Sequence, residues 1–134
     1  MKPTQEIINL ARQLHGLGVD KELEVGDRYF FGKYPDESYI LWGGSYCDMS
    51  GEYIPNAIVI PPLEWCLEWF RENGWTWYLM IADEDDDDDG IKKGECGISV
   101  WNNNIHATDT MMSFINKSPY LAVLKAMVEV KTAE

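Results

Sequence analysis

The stretch "IADEDDDDDGIKKGE", Ile81 to Glu95, holds the strongest hint of chemistry in the chain: seven consecutive carboxylates, Asp83 through Asp89, followed by Gly90. Asp85, Asp87, Asp89 and Gly90 spell the opening of a helix–loop–helix calcium site. Such a site needs carboxylates at loop positions 1, 3 and 5, glycine at 6, an apolar residue at 8 and a bidentate Glu at 12. Counting from Asp85 places the glycine correctly but lands Lys92 at position 8 and Cys96 at 12. Counting from Glu84 places Ile91 at 8 and Glu95 at 12, yet Asp89 then stands where glycine is needed. Each register fails at one end, and the flanks read as strands where helices are required. Two readings stay open: weak, loose Ca2+ binding by Asp85, Asp87, Asp89 and Glu95, or a solvated loop whose charges repel one another. No other cofactor is expected.

A second acidic feature is the row Glu64, Glu68 and Glu72, spaced four residues apart. On a helix these make a ridge that suits a basic protein surface, although such a row is also the ordinary wet face of an amphipathic helix. The formal net charge is −12, and without Asp83–Asp89 it is 16 acidic residues against 11 basic, or −5. A chain this acidic repels phosphate backbones, so direct nucleic-acid binding is disfavoured and a partner with a basic surface is favoured. Mimicry of nucleic acid needs carboxylates spread over a rigid surface, and one acidic loop supplies charge without that array.

Catalytic patterns are missing. There is no Gly-rich phosphate loop, no G-x-S-x-G and no H-E-x-x-H, and His15, His106 and the three cysteines show no zinc spacing. Cys47 with His106, oriented by Asp48 or Asp109, is an imaginable nucleophile pair, but nothing in the spacing supports it. A loop cysteine and a turn histidine is the plainer reading, and the chain is read as non-enzymatic. Cys47, Cys66 and Cys96 are odd in number and widely spaced, which suits reduced thiols and a cytoplasmic setting. No apolar run reaches the length of a membrane span, and the opening "MKPTQEIINLARQL" is too interrupted by polar residues for a signal peptide.

The elements that must position these residues follow from periodicity and punctuation. Thr4 caps a first helix with Ile7, Ile8, Ala11, Leu14 and Leu17 on one face, ended by Gly16 or Gly18, and His15 near its C-terminus is a surface or cap residue. Tyr29–Phe31 and Tyr39–Trp42 flank "GKYPDES" and predict a hairpin; "AIVI" is a short strand or an extended lead-in. "PPLEWCLEWFRENGW" is a helix started by Pro62 and stopped by Asn73–Gly74. Its predicted buried stripe is Leu63, Cys66, Leu67 and Phe70, which makes Cys66 an inert buried thiol. Trp75–Ile81 alternates two largely apolar sets and predicts a central strand. Cys96–Trp101 follows, with Cys96, Ile98 and Val100 on one side, pairing across the loop 82–95. "NNNIHATDT" is turn-rich, and "SPYLAVLKAMVEV" is a closing helix capped by Ser118.

Residues 1–134 are thus expected to form one α+β domain, an antiparallel sheet of about four strands packed with three helices. Six tryptophans and seven tyrosines are many for so small a core. Trp42, Trp65, Trp69 and Trp101 are expected to be partly exposed, where rings favour a protein partner or self-association. Trp65 and Trp69, with Glu64, Glu68 and Glu72, form the expected partner-binding set.

The segments "IINLARQLHGLGV", "DRYFFGKY", "IPPLEWCLEWFRENGW" and "SPYLAVLKAMVEV" together resemble a group of small phage and prophage proteins. More faintly, the layout is similar to the phage α-β-α sandwich domain. The resemblance covers most of the chain as pattern, with Asp83–Asp89 an insertion, and brings no catalytic residues. It implies an origin and a fold class, a bacterial host cytoplasm, and a binding role such as inhibition of a host enzyme or defence system.

Overall fold

The helices form where the sequence caps them. In the computed structural model, which describes residues 3–41, 57–85, 90–103 and 112–133, α1 runs Gln5–Gly16 and the Thr4 hydroxyl accepts from the Ile7 N–H at 3.3 Å. Gly18 takes φ 83°, its N–H donates to the His15 carbonyl at 3.0 Å, and the Val19 N–H donates to Leu14 at 2.9 Å. That reversed double closure needs a left-handed residue, which glycine supplies without steric cost. α2 spans Leu63–Glu72 and is stopped at Asn73–Gly74, with Gly74 at φ 82°. α3 spans Pro119–Thr132, and the Ser118 hydroxyl accepts from the Leu121 N–H at 3.3 Å.

The strands arrange differently from the expectation of one sheet of about four. Six strands form two antiparallel sheets of three, and the chain divides into two compact units, Met1–Pro62 and Leu63–Glu134. Two short stretches account for the difference. "AIVI" supplies a full strand partner, and "MSFIN", beyond the turn-rich run, alternates apolar and polar residues over too short a length to stand out.

In the first unit the order is β2-β1-β3: Tyr34–Ile40, Arg28–Phe31 and Ile58–Ile60. The hairpin between β1 and β2 is tighter than its sequence predicts, because Phe31 already pairs with Tyr34. β2 lies at the sheet edge, where Pro35 removes no ladder bond that the sheet requires. Both faces of β1 are covered. α1 packs against β3, and Phe30, Ile58 and Ile60 are buried. On the other face Tyr29 and Phe31 gather Leu23, Tyr39, Leu41 and Ala57, with the Tyr29 and Phe31 rings edge-on at 5.7 Å.

Leu23 reaches that face because the loop before β1 is tied down. The Lys21 side chain is only 8% exposed, and its ammonium donates to Asp27 Oδ2 at 2.5 Å and to Glu24 Oε1 at 3.3 Å. Asp27 also accepts from the Glu24 N–H at 2.9 Å. Burial pulls the Lys21 pKa down, but the bond and charge of Asp27, then those of Glu24, outweigh it and hold it above its ordinary value.

In the second unit the order is β4-β5-β6: Trp75–Ile81, Cys96–Asn102 and Met112–Asn116. β4 and β5 pair as expected across the loop 82–95, Trp75 opposite Asn102 through Ile81 opposite Cys96. Among the described residues β4 is nevertheless an edge strand, not a central one. Of its two largely apolar sets, Trp75, Trp77, Leu79 and Ile81 lie on the helix side with Val100, Ile98 and Cys96, while Thr76, Tyr78 and Met80 lie on the opposite face. α2 packs on β4, α3 packs on β5 and β6, and the two helices pack on each other. Beneath them lie Cys96, Ile98 and Val100, at most 3% exposed, with Phe70 and Leu124. The opposite face of β5 carries Gly97, Ser99 and Trp101.

Candidate functional site

α2 and the turn into β4 concentrate most of the groups that chemistry could use. Glu64, Glu68 and Glu72 are all exposed on α2, so the ridge exists. Glu68 Oε2 lies 3.6 Å from Arg71 Nη1, with both side chains more than half exposed, a contact worth little in water. The tryptophans do not share that face. Trp65 is half-buried, but Trp69 is only 9% exposed and packs edge-on against Phe70 at 5.3 Å. The buried stripe of α2 is Cys66, Trp69 and Phe70, rotated from the predicted one, with Leu63 and Leu67 half-buried. The aromatic pair takes the inner line because rings of that size bury more surface than a leucine does.

At the C-terminal end of α2 an open cleft of about 360 Å³ is lined by Arg71, Trp75, Thr76, Trp77 and Asn103. Gly74 makes it possible. Its left-handed turn sends the chain from α2 straight into β4, so Arg71 stands over the strand that begins at Trp75. Asn103 closes the far side: its N–H donates to the Gly74 carbonyl at 2.9 Å, and its side-chain oxygen bonds the Thr76 hydroxyl. The cleft thus combines a guanidinium, two indoles, a hydroxyl and an amide. Sequence reasoning missed it, since Arg71 reads as a wet helix residue and Asn103 as turn filler.

The acidic stretch is organised at its ends. Asp85 Oδ1 accepts from the Lys93 N–H at 2.8 Å, and Glu95 Oε1 accepts from the Lys92 N–H at 2.8 Å. One oxygen of each carboxylate therefore closes the loop on its own backbone. Asp87 and Asp89 lie outside the described residues. Among the described residues no three His, Cys, Asp or Glu side chains gather as a metal site would need. Ile91, 2% exposed, folds over Gly97, where an added Cβ would stand 3.5 Å from its Cδ1.

The thiols and histidines fall as follows. Cys66 is fully buried, and burial pushes its thiol up to about 12, which leaves no thiolate at neutral pH. Burial likewise raises the Tyr120 hydroxyl, with Cys66 a second, charge-based cause. Cys96 is buried, with Sγ 4.0 Å from the Lys117 carbonyl. His15 Nδ1 sits 2.5 Å from Asp20 Oδ1 at the end of α1, both about half exposed, the surface role its position predicts. Cys47, His106, Asp48, Asp109 and Trp42 lie outside the described residues, and Trp101 is half-buried on β5.

No family model, curated protein or solved structure matches the chain. Among the described residues no helix is long and apolar enough to cross a membrane.

Proposed function

We propose that the protein works by binding a protein partner with a basic surface, without catalysing a reaction, and that the outer face of α2 makes the contact. The observation that carries this reading is the exposure of Glu64, Glu68 and Glu72 as one row on a helix fixed from behind by Cys66, Trp69 and Phe70. A row held by a rigid core presents its charge in one direction, which steers a basic partner and sets its register. Half-buried Trp65 adds an apolar contact beside the row. Trp69 acts by anchoring the helix. The phage resemblance points to an enzyme or defence protein of a bacterial host as the partner.

The test is capture from bacterial lysate by the immobilised full-length chain. The triple variant Glu64→Gln, Glu68→Gln, Glu72→Gln should lower recovery of the captured protein by about tenfold or more, since charge steering alone is worth that much. Raising salt should do the same. A captured protein that tolerates both changes rules out the α2 row.

A further inference from the structure

Edge strands are usually protected by charge, proline or shortness, and β4 has none of these. Its seven residues, Trp75–Ile81, are WTWYLMI. Among the described residues no strand pairs with it on the side away from β5. The Asn103 N–H donates to the Gly74 carbonyl and the Ala82 N–H to the Glu95 carbonyl, each at 2.9 Å. Since backbone groups alternate along an antiparallel strand, the even-numbered residues turn theirs toward β5. Trp75, Trp77, Leu79 and Ile81 turn theirs to the open edge. Of the large apolar side chains left exposed, Tyr78 at 60% and Ile81 at 63% lie on this strand, and Ile115 at 41% lies in the same sheet.

We propose that β4 pairs with β4 of a second copy of this chain, joining two three-stranded sheets into one of six strands about a two-fold axis. The register selects a second copy. Antiparallel pairing centred on Tyr78 sets Trp75 against Ile81 and Trp77 against Leu79 in both directions, so all four outward-turned residues find partners. The apolar surface fits as well. Ile81 of each copy comes opposite Trp75 of the other, at the cleft lined by Trp75, Thr76 and Trp77, and the two Tyr78 rings meet on the axis. Charge is complementary at both ends. Past Ile81 the second copy continues as Asp83, Glu84 and Asp85, all exposed, running toward the Arg71 guanidinium, 70% exposed at the cleft wall. This surface touches the α2 row only where Arg71 meets Glu68, and its test reads Tyr78 at the strand, so either reading can fail alone.

Sedimentation of the purified full-length chain from micromolar to millimolar concentration should show a monomer–dimer equilibrium. Tyr78→Lys sets like charges face to face on the axis and should weaken the dimer by about tenfold or more. Its circular dichroism should match the parent, because Tyr78 is exposed. A non-hydrogen-bonded antiparallel pair brings Cα atoms to about 4.5 Å, within disulfide reach. Tyr78→Cys in a Cys47→Ser background should therefore cross-link on oxidation, whereas Thr76→Cys, which faces Met80, should not. A chain that stays monomeric throughout overturns the proposal. So does a dimer that ignores Tyr78→Lys and cross-links no better through position 78 than through 76.

Discussion

The two sheets have the same size and the same antiparallel order, yet they treat their surfaces in opposite ways. In the first, Tyr29, Phe30 and Phe31 of the central strand are buried in succession, because α1 lies on one side and the Leu23 loop on the other. Its edges are a strand carrying Pro35, Asp36 and Glu37 and a strand of three residues. In the second, only alternate residues of β5 are buried, the helices take one face, and the β4 edge is long and uncharged. Covered faces with guarded edges make a scaffold. A half-covered sheet whose edge is open among the described residues has surface to offer, and both proposed contacts lie in that second unit.

The sharpest way to break this contrast is to truncate residues of both parities on the two central strands. Phe30→Ala and Phe31→Ala empty opposite faces of β1, and each should destabilise the protein by about 3–5 kcal/mol. On β5 the parities should separate. Val100→Ala should cost about 2 kcal/mol as a lost core group. Ser99→Ala removes only an exposed bond to Ser113 at 3.0 Å and should cost about 0.5 kcal/mol or less. Urea unfolding measures all four. If Phe31→Ala proves as mild as Ser99→Ala, the second face of the first sheet is not a real core.

A smaller effect tests what holds the Leu23 loop in place. Lys21→Met strands the Asp27 carboxylate and should cost about 2 kcal/mol near neutral pH, the scale of hydrogen bonds to a charged group. The sign with pH follows from a folded pKa raised above the ordinary 10.5. Stability from Lys21 is complete below pH 10.5 and is lost as pH rises through the folded value. The gap between parent and variant should therefore hold through neutrality and close only in strong alkali. Cys66 in the second unit has an earlier onset. Its thiol is raised from 9.0 to about 12, so its contribution is complete below pH 9 and declines between those values. Urea midpoints against pH for the parent, Lys21→Met and Cys66→Ala should separate the two limbs. A Lys21→Met gap that closes below pH 9 contradicts the assignment.

Much of this was readable from sequence, and the misses share a cause. Thr4, Gly18, Gly74 and Ser118 marked their helix ends because capping is local chemistry written in adjacent residues. The pairing of β4 with β5, the burial of Cys66 and the shared side of Cys96, Ile98 and Val100 followed from alternation and helical spacing. The second sheet, the edge position of β4 and the burial of Trp69 depend on which elements meet, and no local period encodes that choice. The α2 row was legible as charge. The cleft was not, since it joins Arg71 to Asn103 through a turn and a strand pairing.

The smallest expected effect serves as a control on the contrast between the sheets. Both units cap a helix in the same way, a hydroxyl accepting from the third helical N–H at 3.3 Å: Thr4 from Ile7 and Ser118 from Leu121. If the units differ only in how they cover their sheets, Thr4→Ala and Ser118→Ala should each cost about 1 kcal/mol. Glycine at either position should cost only a few tenths, about 0.3 kcal/mol, because it leaves the first turn open to water. Ser118 has one further tie. Its N–H donates to Asn116 Oδ1 at 3.1 Å, fixing the turn from β6 into α3 through the backbone, which alanine retains. A Ser118→Ala cost well above that of Thr4→Ala in urea unfolding would therefore mean that the hydroxyl holds α3 down on β5 and β6 as well as capping it. The second sheet would then depend on the start of α3 more than the first depends on the start of α1.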